Sequence, residues 1–132
     1  MAYPDFPPGV DRPWLHPLIV WLRGVMGAGN SVADPGSVTA AIPVDKSGVV
    51  PLATAGAETR TLADPEFVGQ QLALVGSSIT TSCTITAAHR VNSANNTTIE
   101  LTATGQAVVL EGISIGGALR WMIIQNDGAT LS

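Results

Sequence analysis

The segment ITTSCTITA, residues 79–87, alternates without a break. Ile79, Thr81, Cys83, Ile85 and Ala87 fall on one side, with Thr80, Ser82, Thr84 and Thr86 on the other. A period of two with β-branched residues on both sides marks a strand with one wet face. TTIELT (97–102) repeats the pattern, with Ile99 and Leu101 expected inward. QQLALVG (70–76), QAVVLEG (106–112), ISI (113–115) and ALRWMII (118–124) read as further strands. Turn-forming clusters separate them at residues 92–96, Thr104-Gly105, Gly116-Gly117 and Asn126-Asp127-Gly128;. Strands so closely spaced predict an all-β domain over residues 54–132, an antiparallel β-sandwich or small barrel of jelly-roll or β-tulip type. No helix-length periodic segment follows residue 53, which argues against a nucleotide-binding α/β plan.

The closing stretch GISIGGALRWMIIQNDGATLS reads as a β-meander. Gly116-Gly117 suits the positive φ angles of a tight hairpin, and Asn126-Asp127-Gly128 supplies the next reversal. Leu119, Trp121 and Ile123 are expected in the core. Arg120, Met122 and Ile124 then face the other way, and two apolar residues beside one arginine suggest a covered side. These three are the candidate oligomer interface.

Residues 1–53 read differently. Pro4, Pro7, Pro8 and Pro13 fix φ and remove backbone donors, so residues 1–13 predict an extended arm;. The following HPLIVWLRGVMGAGN predicts a short helix over 16–27, with Pro17 in its first turn and Gly27 and Gly29 as the stop;. Trp14, Leu18, Trp21 and Val25 share one face; Leu15, Ile19, Leu22 and Met26 make a second apolar face. A helix apolar all round must be buried all round. Neighbouring subunits are expected to help cover it, the alternative being a helix tucked against its own domain. Trp14, Leu18, Trp21, Leu22 and Val25 are the candidate partner-binding anchors. Short extended pieces are expected from residue 31 to 53, between turns at Asp34-Pro35-Gly36 and Lys46-Ser47-Gly48.

Composition narrows the chemistry. Apolar residues make up 45% of the chain and charged residues 12%, about half the usual share;. Such a chain covers itself with uncharged polar groups or hides surface against partners. The net charge of −4 and six scattered basic residues argue against nucleic acid, whose binding needs clustered cations;. The acidic, proline-rich start is wrong for a signal peptide, and the apolar run from Leu18 meets Arg23 too early to cross a bilayer;. His16 and His89 lack partners at metal-ligand spacing, and the lone Cys83 is expected to pack as a small hydrophobe;. Carboxylate pairs such as Asp64 and Glu66 occur by chance in any β-fold. Gly24, Gly27 and Gly29 lack phosphate-loop spacing;. No cofactor, metal or catalytic role is expected.

The stretch AETRTLADPEFVGQQLALV (57–75), followed by ITTSCTITAA, NNTTIELT and GGALRWMIIQNDGATLS, resembles a small virion structural protein of tailed bacteriophages, the head decoration or cement protein. The matching pattern is E-T-R-T-L-x-x-P, then G-Q-x-L-x-L, an alternating threonine-rich strand, an N-N-T turn, and G-G-x-L-R-W before N-D-G. It covers about residues 57–132. The resemblance implies a trimeric or otherwise oligomeric β-domain on the capsid surface of the virion, with the major capsid protein as partner. The other reading is a tail-fibre or spike module recognising host-surface glycans, for which Trp121, Arg120 and the Asn126-Asp127 turn would be the site.

Overall fold

A computed structural model describes residues 31–36 and 40–132; the proline arm and the helix expected over 16–27 lie outside these residues. Nine strands are described: β1 (Ala40–Ala41), β2 (Gly48–Thr54), β3 (Ala57–Leu62), β4 (Gln71–Ile79), β5 (Ser82–Ala87), β6 (Thr98–Leu101), β7 (Ala107–Ile115), β8 (Ala118–Asp127) and β9 (Thr130–Leu131). They form two facing sheets, one of five strands in the order β1-β3-β5-β6-β9 and one of four in the order β2-β4-β7-β8. The expected all-β sandwich is therefore present. The sheets remain open rather than closing into a barrel. Both sheets are mixed: beside the expected antiparallel pairs, β1-β3, β2-β4 and β3-β5 are parallel.

The parallel pairs follow from how the chain moves between sheets. β2 runs in the four-stranded sheet, turns at Ala55-Gly56, and continues as β3 in the five-stranded sheet. β4 and β5 repeat this arch, so Gly48 pairs with Leu72 and Ala57 with Ser82. The 79–87 segment is thus two strands, broken where Thr80 donates from both its N–H and its hydroxyl to Thr54 (3.2 and 2.8 Å). After β5 the chain reverses within its own sheet, and every later pairing is antiparallel. That reversal, residues 88–97, is held by Asn92, whose Oδ1 accepts from the Asn96 N–H (3.0 Å), with Asn95 in the left-handed region (φ 66°). The closing meander is corrected likewise. Gly116 and Gly117 do form a two-residue hairpin at φ 59° and 84°, but β9 crosses to pair with β6 instead of β8.

The core lies between the sheets. Val50, Leu52, Leu72, Leu74, Ile85, Ile99, Leu101, Val108 and Leu110 have no exposed surface, and Trp121 closes one side with its indole N–H donating to the Ala63 carbonyl (2.7 Å). Ile99 and Leu101 point inward as expected. The chain also passes tightly over Gly112: a Cβ there would stand 2.7 Å from the Phe67 carbonyl and 2.9 Å from Pro65. The first obstacle is backbone and cannot rotate away.

Arg60 is the one buried charge among the described residues. It sits on β3 with the parity of Leu62, opposite Ile85, and has no exposed surface. Its Nε donates to Asp34 Oδ1 (2.8 Å), Nη2 to Glu58 Oε1 and the Ala53 carbonyl (both 3.1 Å), and Nη1 to the Thr59 carbonyl (3.0 Å). Asp34 Oδ2 meanwhile accepts from the Ala53 N–H (2.9 Å). The pair therefore engages both backbone groups of Ala53, as a further strand would. Farther along β2, Ser31 bridges to Val49, Val32 donates to the Val49 carbonyl, and Pro51 has no N–H to offer;. Side chains and the Ser31–Val32 backbone together seal most of an edge that would otherwise invite strand addition;.

Burial alone would raise the Asp34 pKa, but the hydrogen bonds from Arg60, Ala53 and Gly36 outweigh it and hold the carboxyl below its usual value. Arg60 is raised for the same reason, against the burial that would lower it. A depressed folded pKa contributes stability that is complete above an unfolded value of about 4 and is lost as pH falls through the folded pKa. In Asp34→Asn the acid limb of the stability–pH curve should flatten, and neutral-pH stability should fall by about 1.5–3 kcal/mol; urea titrations from pH 2 to 7 measure both. Gly112→Ala should cost about 1–3 kcal/mol through the backbone clash, read as a lower urea midpoint at neutral pH.

Candidate interaction face

Strands with a period of two present alternate residues to the outside, and the two sheets do so with opposite chemistry. On the five-stranded sheet, Thr59 and Thr61 of β3 stand beside Thr84 and Thr86 of β5. Thr98 follows in one row, and Glu100 and Thr130 in the other. Hydroxyls and one carboxylate suit this face to water. On the four-stranded sheet, Val49, Ala73 and Val109 form one cross-strand row, and Pro51, Val75 and Ala107 the next. Glu111, within 3.5 Å of Gln71, is the polar pair beside them. An apolar band across three strands is the kind of surface that marks an interaction site.

The three residues proposed for an oligomer interface lie on β8, at the border of this sheet. Met122 pairs with Glu111 and is half-buried. Arg120 pairs with Ile113, but its Nη1 donates to the Leu119 carbonyl (2.8 Å) and lies 3.5 Å from Asp64 Oδ2. Ile124 breaks the expected alternation. The register passes from Leu110↔Ile123 to Val109↔Gln125, so Ile124 is bulged out and 55% exposed. The free side of β8 is blunted too, since the Ile123 N–H donates to the Val91 carbonyl (2.8 Å). What β8 offers a partner is a face and a bulge rather than an open ladder. The five helix anchors, Trp14, Leu18, Trp21, Leu22 and Val25, lie outside the described residues.

Reactive groups do not converge. His89 Nδ1 lies 2.9 Å from the Asp64 carboxylate at the surface, and Arg120 approaches the same carboxylate. Next to them a shallow depression of about 330 Å³ opens between the ends of β3 and β5, lined by Thr61, Leu62, Ala63, Thr86, Ala87 and Ala88. Among the described residues no three His, Cys, Asp or Glu side chains gather as a metal-ligand set. Trp121, the aromatic platform of the glycan reading, is 2% exposed with its N–H already engaged. It cannot stack on a sugar without leaving the core. Four polar side chains are buried: Thr54, Arg60, Ser82, which the alternation places on the wet face, and Gln70, whose Nε2 donates to the Val44 carbonyl (2.8 Å) while its Oε1 accepts from the Glu66 N–H (2.7 Å).

Cys83 is buried and unbridged, and burial is the main cause that pushes its thiol pKa up. A soluble disulfide reagent at pH 8 should label it on the order of a thousandfold or more slowly in the folded chain than in urea. Equal rates would contradict this packing.

The chain matches no protein-family model and no curated protein.

Proposed function

We propose that this chain is a structural protein of a tailed-phage virion: a non-enzymatic head decoration, or cement, module. It sits on the outer capsid surface as a homo-oligomer, three copies over a local threefold, with the major capsid protein as partner. The motif resemblance over residues 57–132 supplies the virion context. The single structural observation that supports the reading is the pairing of an apolar outer face with blunted sheet edges. A module of this design associates through faces, which suits a protein laid on a lattice. Interface centres are depleted of charge, as this face is. Binding only the assembled shell stabilises that state by mass action.

In this scheme the N-terminal segment, with Trp14, Leu18, Trp21, Leu22 and Val25, grips neighbouring capsid subunits, and Arg120, Met122 and Ile124 border the contact between copies. The described sandwich begins at Ser31, so a chain lacking residues 1–30 retains the Asp34–Arg60 pair and should fold. Its binding to assembled, undecorated capsids, measured by co-sedimentation, should fall roughly tenfold or more against the full chain. Failure of the full chain to bind any tailed-phage capsid lattice overturns the function. Undiminished binding by the deletion overturns the role given to the segment.

A further inference from the structure

Among the described residues three large apolar side chains are exposed, and two of them are neighbours. Phe67 (47%) and Val68 (64%) stand at the tip of the loop between β3 and β4. Hydrogen bonds hold that loop on both sides of its tip. The buried Gln70 accepts from the Glu66 N–H (2.7 Å) and donates to the Val44 carbonyl (2.8 Å). The Gly69 N–H donates to the Gly112 carbonyl (2.8 Å), and Pro65 packs over Gly112. A tip braced in this way presents its apolar pair to a partner with little further ordering to do.

The same end of the sandwich carries a hollow. The depression between the ends of β3 and β5 has Leu62 and Ala87 as its buried floor, with Ala63 and Ala88 exposed at its rim. Its three alanines leave about 330 Å³ unfilled, where a cavity of roughly 150 Å³ already takes a benzene ring;. In its own chain Phe67 stands outside this depression and supplies none of its lining.

We propose that Phe67 of one copy seats in the depression of a second copy, with Val68 against its rim. Charge favours the same occupant. Asp64 and His89 directly follow the rim residues Ala63 and Ala88, and both His89 and Arg120 lie against the Asp64 carboxylate (2.9 and 3.5 Å). The exposed Glu66, next to the knob, brings a second carboxylate to these two cationic side chains. Knob and hollow are different patches of one chain, so the contact is heterologous, and repeating it at a constant rotation can close a ring. This deepens the reading above and rests on it for the count of three copies. The apolar rows of the four-stranded sheet stay free for the capsid, and Arg120 borders the contact between copies.

Sedimentation of the full chain over a concentration series tests the contact without any capsid, so its failure is separate from failure of the functional reading. The parent chain should self-associate, and Phe67→Ser should raise the half-association concentration roughly thirtyfold or more. Ala88→Glu, which narrows the hollow and sets a carboxylate against Glu66, should act in the same direction. Mixed at a concentration where each alone is monomeric, the two variants should form a one-to-one dimer, since the mixture keeps one intact knob and one intact hollow. A symmetrical contact predicts no such rescue. Unreactive Cys83 reports that each variant is folded. A parent chain that stays monomeric throughout the series, undiminished association of Phe67→Ser, or a mixture that does not pair overturns the proposal. Should either variant expose Cys83, the decision passes to Phe67→Cys and Ala88→Cys chains, each in a Cys83→Ala background, oxidised together. Disulfides joining one of each are expected; like-with-like dimers in equal yield, or no cross-link, overturn the contact.

Discussion

The Arg60 guanidinium is the point on which the N-terminal side of this sandwich depends. It reaches Asp34 on the segment beside β2, Glu58 on its own strand and the Ala53 carbonyl at the end of β2. One planar cation thus joins the start of the described chain to both halves of the β2–β3 arch. Taking that charge from water is costly, and only a full set of acceptors offsets it. The set is complete: among the described residues no buried side-chain nitrogen or oxygen lacks a partner. Replacing Arg60 alone would leave two carboxylates crowded together, and losing one partner of a buried pair commonly costs about 3–5 kcal/mol. Because Asp34 and Glu58 keep some exposure, the loss should lie toward the lower end.

From that corner the remaining strands stack in order. β4–β5 lies on β2–β3 in the same direction, β6–β7 lies on β4–β5 in reverse, and β8–β9 closes the far end. The extra residue at Ser77, where Leu52↔Gly76 is followed by Ala53↔Ser78, lets the second arch turn one residue later than the first. Its hydroxyl donates to the Leu52 carbonyl (2.9 Å) and anchors the bulge. The order of layers leaves two outer faces of unlike chemistry, one lined by threonines and one by apolar rows.

Most strand positions after residue 70, the Gly116-Gly117 hairpin, the packing of Cys83 and the inward placement of Trp121 were legible in the sequence because each depends on local period or turn chemistry; β3 was not, and 106–112 and 113–115, read as two strands, are the single β7. The sheet to which each strand belongs was not. Ile79–Ala87 keeps perfect alternation through a turn, since Thr80 and Thr81 fit either a strand or an arch, and only contact with Thr54 decides between them. Parallel pairing escaped for the same reason, being set by where the chain crosses rather than by any residue in the strand. Arg60 was the missed signal. In AETRTL it shares the parity of Leu62, and a cation on the inward side of a strand requires buried acceptors close by. The outer apolar rows were likewise hidden, because Val49, Val75 and Val109 lie far apart in sequence and become neighbours only through register.

The arches have a mechanical consequence. In a sandwich whose sheets are each continuous in sequence, one sheet can slide or peel from the other as a unit. Here every crossing between β2 and β3, β4 and β5, β6 and β7, or β8 and β9 is a covalent stitch through the thickness of the domain. Shear between the sheets is resisted by chain rather than by packing alone. Pressure from one side is carried into both sheets together. Failure would have to proceed layer by layer from the ends of the stack.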